Sequence, residues 1–337
     1  MSEQQSCVVA PTPIMQLTTA YWDSQTFLTA NRIGLFEQLA LGALTSVELA
    51  NKLGLQPRHT DLLLKACVGL GLLQVEQGKF SNSPLSDTYL VPGKNSYMGN
   101  AVRYSDNLYS AWGQLETALR EGHPTMPPAD YLGKDKEKTR HFVYGMHNRA
   151  LGIGAALCHL VDLTGRRQLL DIGGGPGTYS GMFTQRYPDL RSRVLDLPEV
   201  VAIAKEILAS MGAADRVELV PGDYKHTPFP QDNDVVLISG VFHRESEATC
   251  RALIAHAAES LIPGGMLIVS DVFTDQGGTS PSFAALFGLN MMISAPEGGV
   301  HEDHAVQRWM DEAGFGDLVA QPFPPPMPHR IVYGMKK

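Results

Sequence analysis

The residues of this 337-residue chain best suited to chemistry are four aspartates and two histidines in its second half. Asp171 stands in the apolar run Leu169-Leu170-Asp171-Ile172 and is followed by Gly173, Gly175 and Gly177 before Thr178-Tyr179-Ser180. Glycines there permit a tight turn and close backbone approach to a ligand, and a following helix presents unpaired N–H groups. The dinucleotide fingerprint asks for a third small residue where Thr178 stands, and it has no use for an acid two residues before the first glycine. An acid facing the loop disfavours pyrophosphate and suits a cation, such as the amino group of S-adenosylmethionine (SAM). Asp196 comes about twenty residues past the glycines, the spacing at which a carboxylate grips ribose hydroxyls. Asp223, in Pro221-Gly222-Asp223-Tyr224, can accept a hydrogen bond from an adenine amino group. The residues placed to meet such a cofactor are therefore Asp171, Gly173, Gly175, Asp196, Leu197, Gly222, Asp223, Tyr224 and Ser239.

His243 supplies the other half of the chemistry. Methyl transfer from a sulfonium is an in-line displacement that needs the acceptor atom held near attack distance with water excluded. A hydroxyl is a poor nucleophile while protonated, and a phenol has a pKa near ~10, so a base titrating near neutrality helps. Histidine is that base. A thiol or thioether acceptor would need no strong base, so oxygen and sulfur both remain open at this level. His243, His301 and Asp271 also have the composition of a two-histidine, one-carboxylate metal site.

These residues need strands to position them. Arg193 to Pro198, Val217 to Pro221, Asp234 to Ile238 and Met266 to Ser270 read as short parallel strands joining the one that ends at Ile172. Five strand ends then converge on one edge, where open α/β sheets bind ligands. Leu318 to Gln321 and Arg330 to Met335 read as an antiparallel pair that closes the sheet. Upstream, Tyr97 to Glu121 reads as one long helix, Gly122 to Pro128 as a surface loop, and Lys134 to Arg140 as a solvated charge run. The next helix begins at His141. Phe142 and Met146 on it, with Phe283, Phe287, Asn290 and Met291 on the helix after the fifth strand, are placed to wall an apolar acceptor pocket. His304 reads as a surface residue at a helix start.

The first third has a different pattern. Ser46 caps a helix from Val47 to Leu53, Pro57 opens another from Arg58 to Leu73, and Val75 to Phe80 is a hairpin with a Gln-Gly turn. This is a winged-helix arrangement. A DNA reader would put basic and amide residues on its second helix, which here offers only Arg58, His59 and Lys65. Ile14, Leu17, Tyr21, Trp22, Phe27, Leu28, Ile33, Leu35 and Phe36 supply more apolar surface than a terminal helix covers alone, which favours contact with another copy over an intradomain core.

In these motifs the chain resembles the class I SAM-dependent methyltransferases of the plant-type small-molecule O-methyltransferase group, which includes caffeate and acetylserotonin methyltransferases and bacterial natural-product enzymes. The resemblance rests on LLDIGGGPGTYS, VLDLPEV, PGDY, His243 after the fourth strand and LIPGGMLIVSD. It rests also on a helix with Trp112, Leu115, Ala118, Leu119 and Gly122 in a W-x-x-L-x-x-A-L-x-x-G pattern. It implies an α/β fold with a seven-stranded Rossmann-like methyltransferase sheet preceded by a helical winged-helix dimerisation domain. The expected division is residues 1–95 for dimerisation, 96–150 for linking helices and 151–337 for SAM binding and catalysis. The resemblance makes His243 the catalytic base and Asp271 the acid that orients it, with SAM as cofactor and S-adenosylhomocysteine as product. Arg244 and Glu245 depart from the family's Asp and Trp after that histidine. His301 replaces a glutamate, where it could orient His243 or bind the acceptor. Some bacterial relatives that C-methylate 2-oxo acids hold a metal at equivalent positions. A SAM-binding dimeric regulator without activity is the non-enzyme alternative.

Composition narrows the partners. A net charge of −8 argues against nucleic acid. No apolar run reaches the ~18 residues of a membrane span. Met1 to Pro13 lacks the basic and apolar regions of a signal peptide. Cys7, Cys67, Cys158 and Cys250 are scattered, as reduced thiols in a cytoplasmic protein would be. The expected partners are a small-molecule acceptor and a second copy of the chain.

Overall fold

A computed structural model describes residues 10–94, 96–133 and 135–337. Cys7, Lys134 and most of the amino-terminal segment discussed above lie outside the described residues. The chain divides into two compact units, one ending at Asp106 and the other beginning at Asn107.

The first unit contains α1 (Thr12–Thr19), α2 (Tyr21–Arg32), α3 (Leu35–Leu39), α4 (Ser46–Leu53), α5 (Pro57–Gly69), β1 (Leu73–Glu76), β2 (Lys79–Asn82), α6 (Pro84–Tyr89) and most of α7 (Gly99–Trp112). Thr45, not Ser46, caps α4. Its hydroxyl accepts from the Glu48 N–H, and Glu48 Oε2 accepts the Thr45 N–H at 2.7 Å, so a reciprocal box starts the helix one residue early. α5 stops at Gly69 and does not run on to Leu73, because Gly71 takes a left-handed φ of 71° and turns the chain into β1. Gln77 and Gly78 both have positive φ, the backbone of a two-residue hairpin turn. Leu28, Leu35, Phe36, Leu49, Leu64, Leu73 and Phe80 are buried. The apolar residues of the amino-terminal helices therefore divide. Those from Phe27 on serve the unit's own core, while Ile14, Leu17 and Trp22 are 67%, 76% and 58% exposed.

In the second unit the long helix expected up to Glu121 is broken. α7 ends at Trp112, and α8 (Leu115–Glu121) begins after Gln114, whose non-helical backbone interrupts the ladder and whose N–H bonds the Ala111 carbonyl three residues back. α9 (Lys136–Leu160) starts before His141, because Asp135 Oδ1 accepts the N–H groups of Glu137 and Lys138, making most of the charge run its first turn. The alternating region follows: β3 (Gln168–Ile172), α10 (Thr178–Arg186), β4 (Arg191–Asp196), α11 (Pro198–Ser210), β5 (Val217–Pro221), β6 (Asn233–Ser239), α12 (Glu247–Ser260), β7 (Leu261–Asp271), α13 (Ser282–Met292), α14 (Asp303–Glu312), β8 (Phe315–Pro322) and β9 (Arg330–Lys336). Seven strands form one sheet in the order β5-β4-β3-β6-β7-β9-β8. The first five are mutually parallel, and β9 pairs antiparallel with both β7 and β8.

This order places the functional crevice. The chain winds outward from β3 through β4 to β5 and then returns to β6 on the other side of β3, so connections leave the β3 and β6 ends in opposite directions. The gap between them is where open sheets take ligands. The central strands β3 and β6 and the second half of β7 are mostly apolar and buried because both faces are covered. Leu170, Val236, Ile238 and Leu267 pack with Ile254 and Trp309 on one side, and Leu169, Val235 and Ile268 with Leu157 and Phe183 on the other. No described helix is long and apolar enough to cross a membrane.

Candidate active site

The glycine turn after β3 holds Gly173, Gly175 and Gly177 at φ of 62°, 55° and 71°. A side chain at Gly173 would also bring its Cβ to 2.7 Å from Val241, so backbone conformation and space both demand glycine. Asp171 lies beneath this turn, wholly buried, with Oδ2 accepting the Ser180 hydroxyl at 2.7 Å. Oδ1 is buried and has no hydrogen-bond partner among the described residues. Burial pushes this carboxyl up to about 7, outweighing the Ser180 hydrogen bond, and the neighbouring Asp196 charge adds to the rise. At the end of β4, Asp196 is gripped on both oxygens: Gly175 N–H donates to Oδ2 and Leu197 N–H to Oδ1, each at 2.7 Å. Its carboxyl is still pushed up, to about 6, chiefly by burial. An orphaned buried oxygen under a glycine turn, beside a carboxylate aligned by backbone donors, fits a ligand that carries both a cationic group and vicinal hydroxyls.

The turn after β5 completes this side. Gly222 donates to the Asp196 carbonyl, and a side chain there would collide with Thr227. Asp223 accepts from Lys225 N–H at 2.9 Å and lies 3.0 Å from His226 Nδ1. Burial pushes its carboxyl up, but those two partners and the Lys225 charge outweigh it and leave it below the usual range. The Tyr224 hydroxyl donates to Glu245 at 2.7 Å. Ser239 is the last residue of β6, at the carboxyl edge of the sheet.

His243 sits in a single 3-10 turn, Phe242–Arg244, that follows β6. Asp271 at the end of β7 faces it, with Nδ1 to Oδ1 at 2.6 Å and the His243 N–H reaching Oδ2 at 3.3 Å. Asp271 also accepts the Val272 N–H at 2.7 Å. Burial would raise this carboxyl, yet His243 and these donors outweigh burial and hold it below the usual range. An ionised carboxylate at Nδ1 fixes the proton there and leaves Nε2 with its lone pair. The imidazole is 15% exposed and Phe287 meets its ring edge-on at 5.1 Å.

His301 has other partners than His243, whose Nδ1 is taken by Asp271. Its own Nε2 lies 3.1 Å from the Phe242 carbonyl and 2.9 Å from the Glu245 carbonyl. Both partners are acceptors, so Nε2 carries the proton and donates to the turn that bears His243. No group of three metal-ligating side chains occurs among the described residues. His304 behaves as expected, exposed on the first turn of α14.

On the acceptor side, Phe283 and Phe287 stack at 6.0 Å along α13. Phe142 packs on Tyr131 at 4.9 Å, and Met146 one turn later is half-buried. Two residues expected here are partly committed elsewhere: Asn290 Oδ1 accepts the Trp112 indole N–H at 2.8 Å, and Met291 is buried against Gly298. The structure also brings in residues that sequence reasoning did not select for the site. Arg244 donates to the Tyr131 hydroxyl at 2.8 Å, and that hydroxyl donates to the Ser294 carbonyl at 3.2 Å. His147 pairs with Thr178 at the start of α10 at 2.8 Å. Half-buried His329 lies near Asp271 and His243, and its burial lowers the imidazole below the usual range. None of these has a sequence signal, since each depends on a contact between distant segments.

A mixed sheet with five parallel strands, a glycine turn, two carboxylates at successive strand ends and a His–Asp pair after the next two strands are the marks of a SAM-dependent methyltransferase. Residues 112–316 match the model of the O-methyltransferase domain, and residues 15–92 that of the O-methyltransferase dimerisation domain. The chain belongs to this O-methyltransferase family, and its cofactor is SAM. It is 31% identical over 331 residues to the 3-hydroxy-5-methyl-1-naphthoate 3-O-methyltransferase of Streptomyces sahachiroi, covering 97% of this chain and 95% of that protein. It is 32% identical over 316 residues to the tetracenomycin polyketide synthesis 8-O-methyl transferase TcmO of Streptomyces glaucescens, covering 92% and 93%. The fold is also that of human N-acetylserotonin methyltransferase in complex with SAM, with a TM-score of 0.87 at 24% identity over 100% of this chain and 99% of that one.

Proposed function

We propose that the protein methylates a hydroxyl of a small aromatic acceptor, with His243 as general base. Bound SAM supplies an electrophilic methyl on a sulfonium sulfur. Asp171 would hold its cationic amino group, Asp196 its ribose hydroxyls and Asp223 its adenine, with Leu197, Gly222, Tyr224 and Ser239 shaping the cleft. The observation that carries the base assignment is the 2.6 Å contact between His243 Nδ1 and ionised Asp271. It keeps the proton on Nδ1, so Nε2 is free to take the acceptor's hydroxyl proton, and it stabilises the imidazolium that results. The stacked rings of Phe283 and Phe287, the latter against His243, support a flat acceptor, as do the naphthoate and tetracenomycin named in the relatives' descriptions. The matched dimerisation domain and the exposed face of α1 and α2 support a homodimer. Cys67, Cys158 and Cys250, free and buried, agree with a reducing compartment such as the cytoplasm.

The test is His243→Ala. Turnover should fall by roughly 10²–10⁴-fold with S-adenosylhomocysteine affinity nearly unchanged, and the loss should shrink for more acidic phenols. Full activity in this variant would overturn the base assignment.

A further inference from the structure

Glu245 stands two residues after the base and is only 5% exposed. Oε1 accepts the Tyr224 hydroxyl at 2.7 Å, and Oε2 meets the Lys225 ammonium at 2.6 Å as an ion pair off the hydrogen-bonding direction. Those two partners are consecutive, and they follow Asp223 directly in the turn after β5. Lys225 N–H donates to Asp223, and the Tyr224 ring packs against the open face of Gly173, 3.4 Å from where a Cβ would stand. Burial and the adjacent Glu245 carboxylate keep the Tyr224 phenol well above its usual pKa, so it stays a donor. The Glu245 backbone is held separately, since its carbonyl accepts from His301.

We infer that Glu245 is a positioning residue for cofactor binding: its carboxylate clamps Tyr224 and Lys225 and so sets the adenosyl end of the cleft relative to the turn that carries His243. This rests on the SAM site proposed above. The side chain acts on the cofactor turn while the backbone carbonyl acts on the base turn, so the two duties separate. A clamp of this kind matters because misplacing a binding group by about 1 Å costs as much as deleting a contact.

The experiment is titration of the full-length protein with S-adenosylhomocysteine by calorimetry, alongside kcat at saturating SAM. Glu245→Ala should weaken binding by roughly ten-fold or more, the size of a lost charged hydrogen bond, with kcat within about three-fold because the carbonyl bond to His301 survives. Glu245→Gln should retain an acceptor for Tyr224 and recover part of the loss. Tyr224→Phe and Glu245→Gln combined should lose less than the sum of the two single variants, since both act through one contact. Should Glu245→Ala fail to fold, the Gln and Phe variants carry the same comparison. Wild-type affinity in Glu245→Ala, a strictly additive cycle, or a loss in kcat with affinity intact would overturn the inference. A wild-type protein that bound no S-adenosylhomocysteine would instead overturn the site on which it rests.

Discussion

The amino-terminal unit and the carboxyl edge of the main sheet depart from ordinary protein in opposite directions. α1 and α2 leave Ile14, Leu17 and Trp22 largely in solvent, while α4 in the same unit is closed by a complete capping box. The sheet edge does the reverse. It takes Asp171 and Asp271 out of water and leaves one oxygen of Asp171 without a partner among the described residues. An exposed apolar face lowers its free energy by meeting another apolar face. A desolvated carboxylate lowers its free energy by meeting a donor or a cation. The two anomalies thus ask for different partners, a second chain in one region and a charged small molecule in the other.

The sharpest way to break this contrast is to charge the exposed face. Leu17→Glu with Trp22→Glu should raise the dimer dissociation constant on the order of 10³-fold or more, from the apolar burial lost on both copies. Sedimentation would read it, and a variant that stays dimeric at micromolar concentration would assign that face another role. At the sheet edge, Asp196→Ala should weaken SAM binding by roughly 10–100-fold through the loss of charged hydrogen bonds to ribose. Undiminished affinity by calorimetry would remove Asp196 from the cofactor site.

His301 tests whether the edge is held by its frame or by its ligands. Replacing it with alanine removes one donor from each of two carbonyls of the base-bearing turn, leaving the Glu245 N–H on Phe242 and the weak Cys250 thiol on both, which should cost about 1 kcal/mol in urea unfolding. SAM affinity should barely move, and a change in affinity without a change in stability would contradict the structural role given to it.

The smallest effect concerns protons. Asp171 and Asp196 are raised by burial to about 7 and about 6, above the ~3.9 of an unfolded aspartate. A raised carboxyl favours the folded state while protonated, so this contribution is present in full below pH ~4 and fades as pH rises through about 6 and 7. A cationic ligand favours the ionised form, so SAM binding at pH 6 to 7 should release a fraction of a proton. Calorimetry in two buffers of different ionisation heat measures this, and proton uptake would reverse the argument.

Much of the catalytic sheet was legible in advance because its signals are local. Apolar runs end in Asp171, Asp196 and Asp271, glycines fall where φ must be positive, and the hairpin turn is Gln77-Gly78. Helix limits were read less well. Thr45 displaced Ser46 as a cap, and Gln114 broke an expected helix, because such limits turn on which nearby side chain or backbone angle wins a contest of about 1 kcal/mol. The apolar helix residues could not be sorted into core and surface from their spacing alone, since Leu28 and Trp22 share one helix and differ only in what lies opposite.

The amino-acid sequence settled the family, the cofactor class and the residues at the strand ends, since these depend on patterns within a few positions of one another. Tertiary structure decided the division of labour between the histidines. His243 finds Asp271 across 28 positions, and His301 finds its two carbonyl acceptors across 59 and 56. Which hydrogen-bond partner a ring nitrogen meets at such separations is set by strand order and packing, and composition and spacing carry no record of it.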